Sequence, residues 1–268
     1  HILNGIGEET LPYFPTVLFP FIGAIVGLFF GSIVGYVSTR RAGTAFAMIS
    51  LGFCEMVTAM TLIFVIFFNG EDGIQTDRMV GPEPFGITFG PQIEIYYLIL
   101  FWCLVAVALM YIITKTPFGR MSNAVRENPE RAAFIGYSVR RVRWQAFALS
   151  SMFAGAAGSL HALNYEHIGF ESVSIIQSGA VLFMAFIGGA GHFLGPIVGA
   201  IGLTYLDSTL ADVTEAWLLY LGLTFSGIVM FAPGGLAGLI VMHGPIARTD
   251  KNLLISLIKP YLLAIGSV

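Results

Sequence analysis

The sequence predicts an all-α, polytopic bundle of membrane helices, and three observations carry that reading. Of 268 residues, 56% are hydrophobic and 11% charged, where an average soluble domain has roughly a quarter of its residues charged. Long apolar runs stand at 15–37, 42–68, 94–114, 144–164, 173–189, 193–207 and 216–233. The 32 glycines, about 12% of the chain against about 7% on average, suit helices that approach closely with no hydrophobic effect separating helix from lipid.

So few charges cannot cover a water-facing surface, and lipid must take up much of it. A span needs about 20 apolar residues to cross a hydrocarbon core of about 30 Å. Five of the runs meet that length or nearly so. The pair 173–189 and 193–207 is shorter and is interrupted by Gly188, Gly189, Gly191, Gly195 and Pro196. It reads as a tight helical hairpin, and both a full crossing and a partial one stay open, since irregular backbone at such depth must be buried or line a cavity. About seven membrane segments result, within a membrane domain over residues 1–243. Residues 244–268 form a cytoplasmic or interfacial tail, with Lys251 and Lys259 around the apolar stretch Leu253 to Ile258. Cys54 and Cys103 both fall in apolar runs and read as buried packing residues rather than a disulfide. No repeat of short period and no low-complexity tract stands out. The chain starts at His1 with no signal peptide before the first apolar run, as expected of a fragment that begins partway through a longer protein.

Charge orients the bundle. All thirteen basic residues except Arg78 fall in 38–41, 115–143 or the tail. Seven segments place those three regions on one side, which the positive-inside rule makes cytoplasmic. The N-terminus is then outside and the C-terminus inside. The opposite loops hold Glu8, Glu9, Glu71, Asp72, Asp77, Glu83, Glu166, Glu171, Asp207, Asp212 and Glu215.

Two loops are long. The outer one, 69–93, has turn signals at Asn69-Gly70-Glu71-Asp72-Gly73 and Gly81-Pro82-Glu83-Pro84. The inner one, 115–143, contains its own helix. Asn128 is a good N-cap, Pro129 suits the first helical position, and Glu130 favours the positive end of the dipole. Arg131, Ala132, Ala133, Phe134 and Ile135 continue it, and Gly136 can end it in the left-handed conformation. Ser138 can cap the next helix, which enters the membrane near Trp144. A short capped helix of this kind serves to dock a protein; the alternative is a basic loop that only enforces topology.

Soluble catalytic chemistry is not signalled. There is no Gly-x4-Gly-Lys-Ser/Thr phosphate loop, so any ATP must be bound by another chain. The run Gly188-Gly189-Ala190-Gly191-His192-Phe193-Leu194-Gly195 lacks dinucleotide-loop spacing and reads as helix packing or a hairpin turn. His161, His167 and His192 lack the spacing of a metal site. His161 and Asn164, followed by Tyr165, Glu166 and His167, form either an interfacial polar cluster or a substrate contact. Glu55 is the acidic residue well inside an apolar run. At about 2.5–3.5 kcal/mol for a central charge, it must face helices or water, as a gate contact or as a helix–helix hydrogen bond.

Several ordered motifs then resemble one family. Gly119-Arg120, the run Ala124-Val125-Arg126-Glu127-Asn128-Pro129-Glu130-Arg131-Ala132-Ala133 and Gly136 are similar to the cytoplasmic loop of LivM-like permeases. These are the membrane subunits of the branched-chain amino acid class of ABC importers. Phe46 to Glu55, Gly70 to Ile74, Ala146 to Ser150, Phe153 to Gly158, Gly188 to Gly191, Gly195-Pro196 and Pro233 to Leu236 continue the match over about residues 15–240. The resemblance implies a B12-importer-like (type II) permease that pairs with a second permease around a central path. It also implies two cytoplasmic ATPase subunits that carry ATP and Mg, a periplasmic solute-binding protein, and a bacterial inner-membrane location. ATPase coupling transfers to Arg126, Glu127, Asn128, Pro129, Glu130, Arg131, Ala132, Ala133 and Gly136. Pathway or gate candidates are Glu55, His161, Asn164, Gly188 and Gly189. Family members usually carry further N-terminal helices with a Gly/Ser/His-rich motif, which this sequence lacks. The chain itself is expected to need no cofactor and to catalyse no reaction. The rival class is an ion-coupled secondary transporter or channel, which paired intramembrane acids or two matching broken helices would favour; a sensor or scaffold is a third reading.

Overall fold

Four glycines spaced four apart, Gly23, Gly27, Gly31 and Gly35, organise the first part of the chain. They lie on one face of helix α1, Phe19–Ser38, because residues four apart stack on one side of a helix. Against them runs α7, Val139–Tyr165, in the most extensive helix contact among the described residues. Its Ser151, Gly155 and Ser159 repeat the same spacing with small residues. A methyl group on Gly23 would come within 2.5 Å of the Gly155 carbonyl, and one on Gly35 within 2.6 Å of the Phe147 ring. Methyls on Gly27 and Gly31 would overlap Ser151. The expectation that no short-period repeat exists is therefore wrong. A four-residue glycine period is what lets two backbones touch without side chains between them.

The computed structural model describes residues 16–41, 43–75 and 90–213, with scattered positions between 216 and 238. The turn signal at Gly81–Pro84 and the tail 244–268 lie outside the described residues, and the run 216–233 is described only in part. The chain divides into two units, 1–175 and 176–268.

In the first unit, α1 is followed by α2, Thr44–Ile63, and a short α3, Val65–Phe68. The apolar run 42–68 is thus broken at Phe64, whose ψ of 63° leaves the helical region. Asn69, Gly70 and Gly73 all have positive φ, so the first outer turn signal is borne out. They lead into β1, Ile74–Gln75, paired antiparallel with β2, His167–Ile168. A helix follows at α4, Gln92–Lys115, then α5, Pro117–Glu127, and α6, Pro129–Phe134, before α7. Ile95 and Leu98 of α4 bury against Leu163 of α7, flanked by Val17, Ile99 and Trp102.

Two indoles fasten α1 and the 3-10 turn, Thr16–Leu18, that leads into it. Trp102 donates to the Val17 carbonyl at 3.0 Å and Trp144 to the Ser32 carbonyl at 2.8 Å. Near the latter end, Tyr36 lies between the guanidinium groups of Arg40 (4.7 Å) and Arg140 (5.1 Å), a pair of cation–π contacts. Buried Ser38 and Thr39 satisfy their hydroxyls on the carbonyls of Val34 and Gly35. Helix α2 is held from its Thr58 hydroxyl, which reaches the Val173 carbonyl at 3.1 Å. Cys54 and Cys103 are free thiols, but not buried: Cys54 is half-buried beside that carbonyl and Cys103 is exposed on α4.

The second unit holds α8, Ile175–Gly188, and α9, Gly195–Val213. The two join through a turn at Gly189 (φ 103°), as the hairpin reading requires. A methyl on Gly188 would sit 2.8 Å from the Gly199 nitrogen and against the Gly195 carbonyl. Gly235 packs its backbone on Gly189 in the same unit. Helix α9 extends past the predicted 207, so Asp207 and Asp212 are helical rather than loop residues. One Asp207 carboxylate oxygen is shielded and has no hydrogen-bond partner among the described residues.

Among the described residues four helices are long and apolar enough to cross a membrane: Thr16–Ser38 (with its leading 3-10 turn), Thr44–Ile63, Gln92–Lys115 and Val139–Tyr165; Ile175–Gly188 is apolar but shorter. Their outer faces carry bare large side chains such as Phe29, Phe30, Phe101 and Leu104, each about 60% exposed. Lipid rather than water suits such a surface.

Candidate functional site

Between α4 and α7 the chain forms a small structure of its own. Thr116 opens α5 by accepting from the Gly119 N–H at 3.4 Å, while its hydroxyl donates to the Ile113 carbonyl at 2.6 Å. Gly119 is required there, because a methyl group would overlap the Thr114 carbonyl as α5 folds back on the end of α4. The loop therefore has two helices, not the one expected. The Thr116-Pro117 pair, a cap followed by a proline at the first helical position, was the signal for the other.

Asn128 ends α5 and begins α6. Its Oδ1 accepts from the Arg131 N–H at 3.0 Å, with Pro129 at the first helical position and Glu130 in the first turn. Gly136 has φ 97°. Its N–H bonds the Ala133 carbonyl at 2.9 Å and that of Tyr137 bonds the Ala132 carbonyl at 3.1 Å, which is the Schellman closure. The predicted start and stop of this helix are both borne out. Ser138 does occupy the capping position of α7, but its side chain makes no capping bond. Asn128→Ala is expected to cost about 1 kcal/mol, read as increased amide exchange confined to α6.

Val125, Ala132 and Val142 form a buried core shared by α5, α6 and α7, with Met121 and Val139 packed on it. Ala132, expected to meet a partner, is only 2% exposed and instead holds α6 in place. The remaining expected coupling residues sort cleanly. Arg126, Glu127, Asn128, Glu130, Arg131, Ala133 and Gly136 are exposed and Pro129 is half-buried. Phe134 and Ile135, 90% and 75% exposed, complete this surface and were not singled out from the sequence. Two bare apolar side chains within a basic loop were the available signal.

Within the first unit, Glu55 stands apart from His161 and Asn164. His161 stacks on Tyr165 at 4.6 Å, and with Asn164 they line a cavity of about 520 Å³ whose other walls include Phe21, Trp102 and Met110. Glu55 is exposed on α2 and is not part of that lining. Gly188 and Gly189 form the close turn of the second unit. Among the described residues no three His, Cys, Asp or Glu side chains group as metal ligands.

Residues 8–234 match the family described as branched-chain amino acid transport system / permease component. The chain belongs to this family. That bears out the LivM-like resemblance, and the family is one of permease components rather than enzymes. This permease is 29% identical over 227 residues to the high-affinity branched-chain amino acid transport system permease protein LivM of Escherichia coli K12, covering 77% of this chain and 53% of the relative. It is 27% identical to the guanosine ABC transporter permease protein NupQ of Bacillus subtilis, over 62% of this chain and 52% of that one. To the galactose/methyl galactoside import permease protein MglC of Salmonella typhimurium it is also 27% identical, over 79% and 62%. The permease thus spans little more than half the length of these relatives. No solved structure matches it.

Proposed function

We propose that this permease is a membrane subunit of an ATP-driven importer, and that α5 and α6 dock a separate ATPase. The observation that carries this is a doubly capped six-residue helix, fixed on its own core, that exposes Phe134 and Ile135 beside Glu130 and Arg131. A loop that served topology alone needs basic charge, not a preorganised apolar tip. The basic loop is assigned to the cytoplasm by the charge asymmetry, with the N-terminus outside and the C-terminus inside. About seven membrane segments, the type II architecture and a bacterial inner-membrane location complete the reading. Its partners are a second permease subunit, two ATPases holding ATP and Mg, and a periplasmic solute-binding protein.

The mechanism follows from the packing. Force on α6 passes through the Val125–Ala132–Val142 core to α7, and from α5 through Thr116 to α4. Helix α7 is locked to α1 by backbone contact, so the pair moves together. The ATPase drives the change only by contacting α6 differently in its two states. Relatives are named for branched-chain amino acids, guanosine and galactose. We take an amino acid of the branched-chain type, or a related small polar solute, as the cargo.

Charge reversal at both Glu130 and Arg131, tested in the reconstituted importer, should abolish ATPase co-purification and cut ATP-dependent uptake at least about tenfold, the equivalent of about 1.4 kcal/mol. Uptake that persisted without an ATPase and followed an ion gradient would instead indicate a secondary transporter.

A further inference from the structure

Beside the docking helix lies a groove of about 440 Å³ that shares Arg126 and Pro129 with the docking surface but is otherwise lined by residues outside it. Its apolar wall comes from Phe46 in the first turn of α2 and from Val142 and Phe147 of α7. The two phenyl rings meet edge to face at 6.1 Å. Three arginines, Arg41, Arg126 and Arg143, also line it, and among the described residues its lining has no acidic residue. Neighbouring Arg40 and Arg140 are already placed on Tyr36.

The position is informative. Thr39, at the end of the Thr16–Ser38 span, and Phe46 and Phe147, inside the Thr44–Ile63 and Val139–Tyr165 spans, share this groove with Arg126 of the loop. The groove therefore runs from membrane-spanning segments to the polar loop, across the level where lipid headgroups sit. Three positive charges with no counter-charge in the lining favour an anion, and guanidinium groups suit the geometry of a phosphate. The aromatic and aliphatic wall suits a hydrocarbon chain on the same molecule. We propose that the groove binds an anionic phospholipid from the adjacent leaflet, phosphate among the three arginines and acyl chain along Phe46 and Phe147. This rests on the chain being membrane-embedded.

The test uses the full chain in neutral detergent, with lipid retention read by native mass spectrometry and thermal unfolding. Phosphatidylglycerol should be retained and raise the unfolding temperature, whereas phosphatidylcholine and inorganic phosphate should do neither. Arg41→Gln with Arg143→Gln should weaken retention roughly thirtyfold, at the strength ordinary for two basic contacts to an anionic surface. The double lysine variant should keep most of it, showing that the site survives substitution. Arg140→Gln, whose native guanidinium lies on Tyr36, should retain lipid like the unaltered chain. Equal retention by the double glutamine variant would overturn the proposal. So would an equal shift with inorganic phosphate alone, which assigns the site to a free anion. Displacement of the lipid by the ATPase would overturn it too, by assigning the groove to that subunit.

Discussion

Gly155→Leu should separate α1 from α7 and cost at least about 1–3 kcal/mol, the usual range for overpacking a close contact. Even a single methyl group at this position overlaps the Gly23 carbonyl and lies 3.0 Å from the Gly27 Cα. Backbone atoms of a membrane helix cannot swing aside as a long side chain can, so the helices must move apart. Doing so also strains the Trp144 hydrogen bond to the Ser32 carbonyl. Gly158 on the same helix is the control, because nothing lies within 4 Å of a methyl placed there. Gly158→Ala should be neutral, or stabilising by up to about 1 kcal/mol through helix propensity. Unfolding in mixed micelles of increasing denaturing detergent measures both. Equal effects at positions 155 and 158 would show that the close α1–α7 contact does not exist.

Gly136→Pro should disconnect the loop from its partner while leaving the spans folded. Its φ of 97° lies far from the value near −65° that proline imposes. Proline also removes the N–H that bonds the Ala133 carbonyl. Together these cost about 3 kcal/mol or more locally, enough to unwind a six-residue helix held by its caps and by the burial of Ala132. Uptake in the reconstituted importer should fall at least tenfold, with unchanged helical circular dichroism and loss of the co-purifying ATPase. Gly136→Ala, for which a left-handed residue costs roughly 1–2 kcal/mol, should fall between. Full coupling in the proline variant would remove α6 from the docking surface.

Local chemistry was the most legible part of the candidate site. Asn128, Pro129 and Gly136 act within a few residues of themselves, so their roles follow from side-chain reach and allowed φ. Thr116-Pro117 carries the same kind of signal for α5, which the reading of a single loop helix left out. Ala132 was misassigned for a different reason. Membership of a motif does not say which side of a short helix faces inward, and only the meeting of Val125 with Val142 decided it. Glu55 and His161 were both suspect as polar groups among apolar ones, yet His161 lines a cavity with Asn164 and Glu55 does not.

By itself, the sequence determined that the chain is a bundle of apolar helices, where the turn at Asn69–Gly73 lies, and where α6 starts and stops. These depend on composition, run length and hydrogen bonds between near neighbours. Tertiary structure alone decided that the glycines of α1 meet Ser151 and Gly155, and that Arg41, Arg126 and Arg143 share a groove. The glycine contacts join residues about 120 to 130 positions apart and Arg41 lies at least 85 positions from the other two arginines, and such partners are chosen by which helix faces can approach closest.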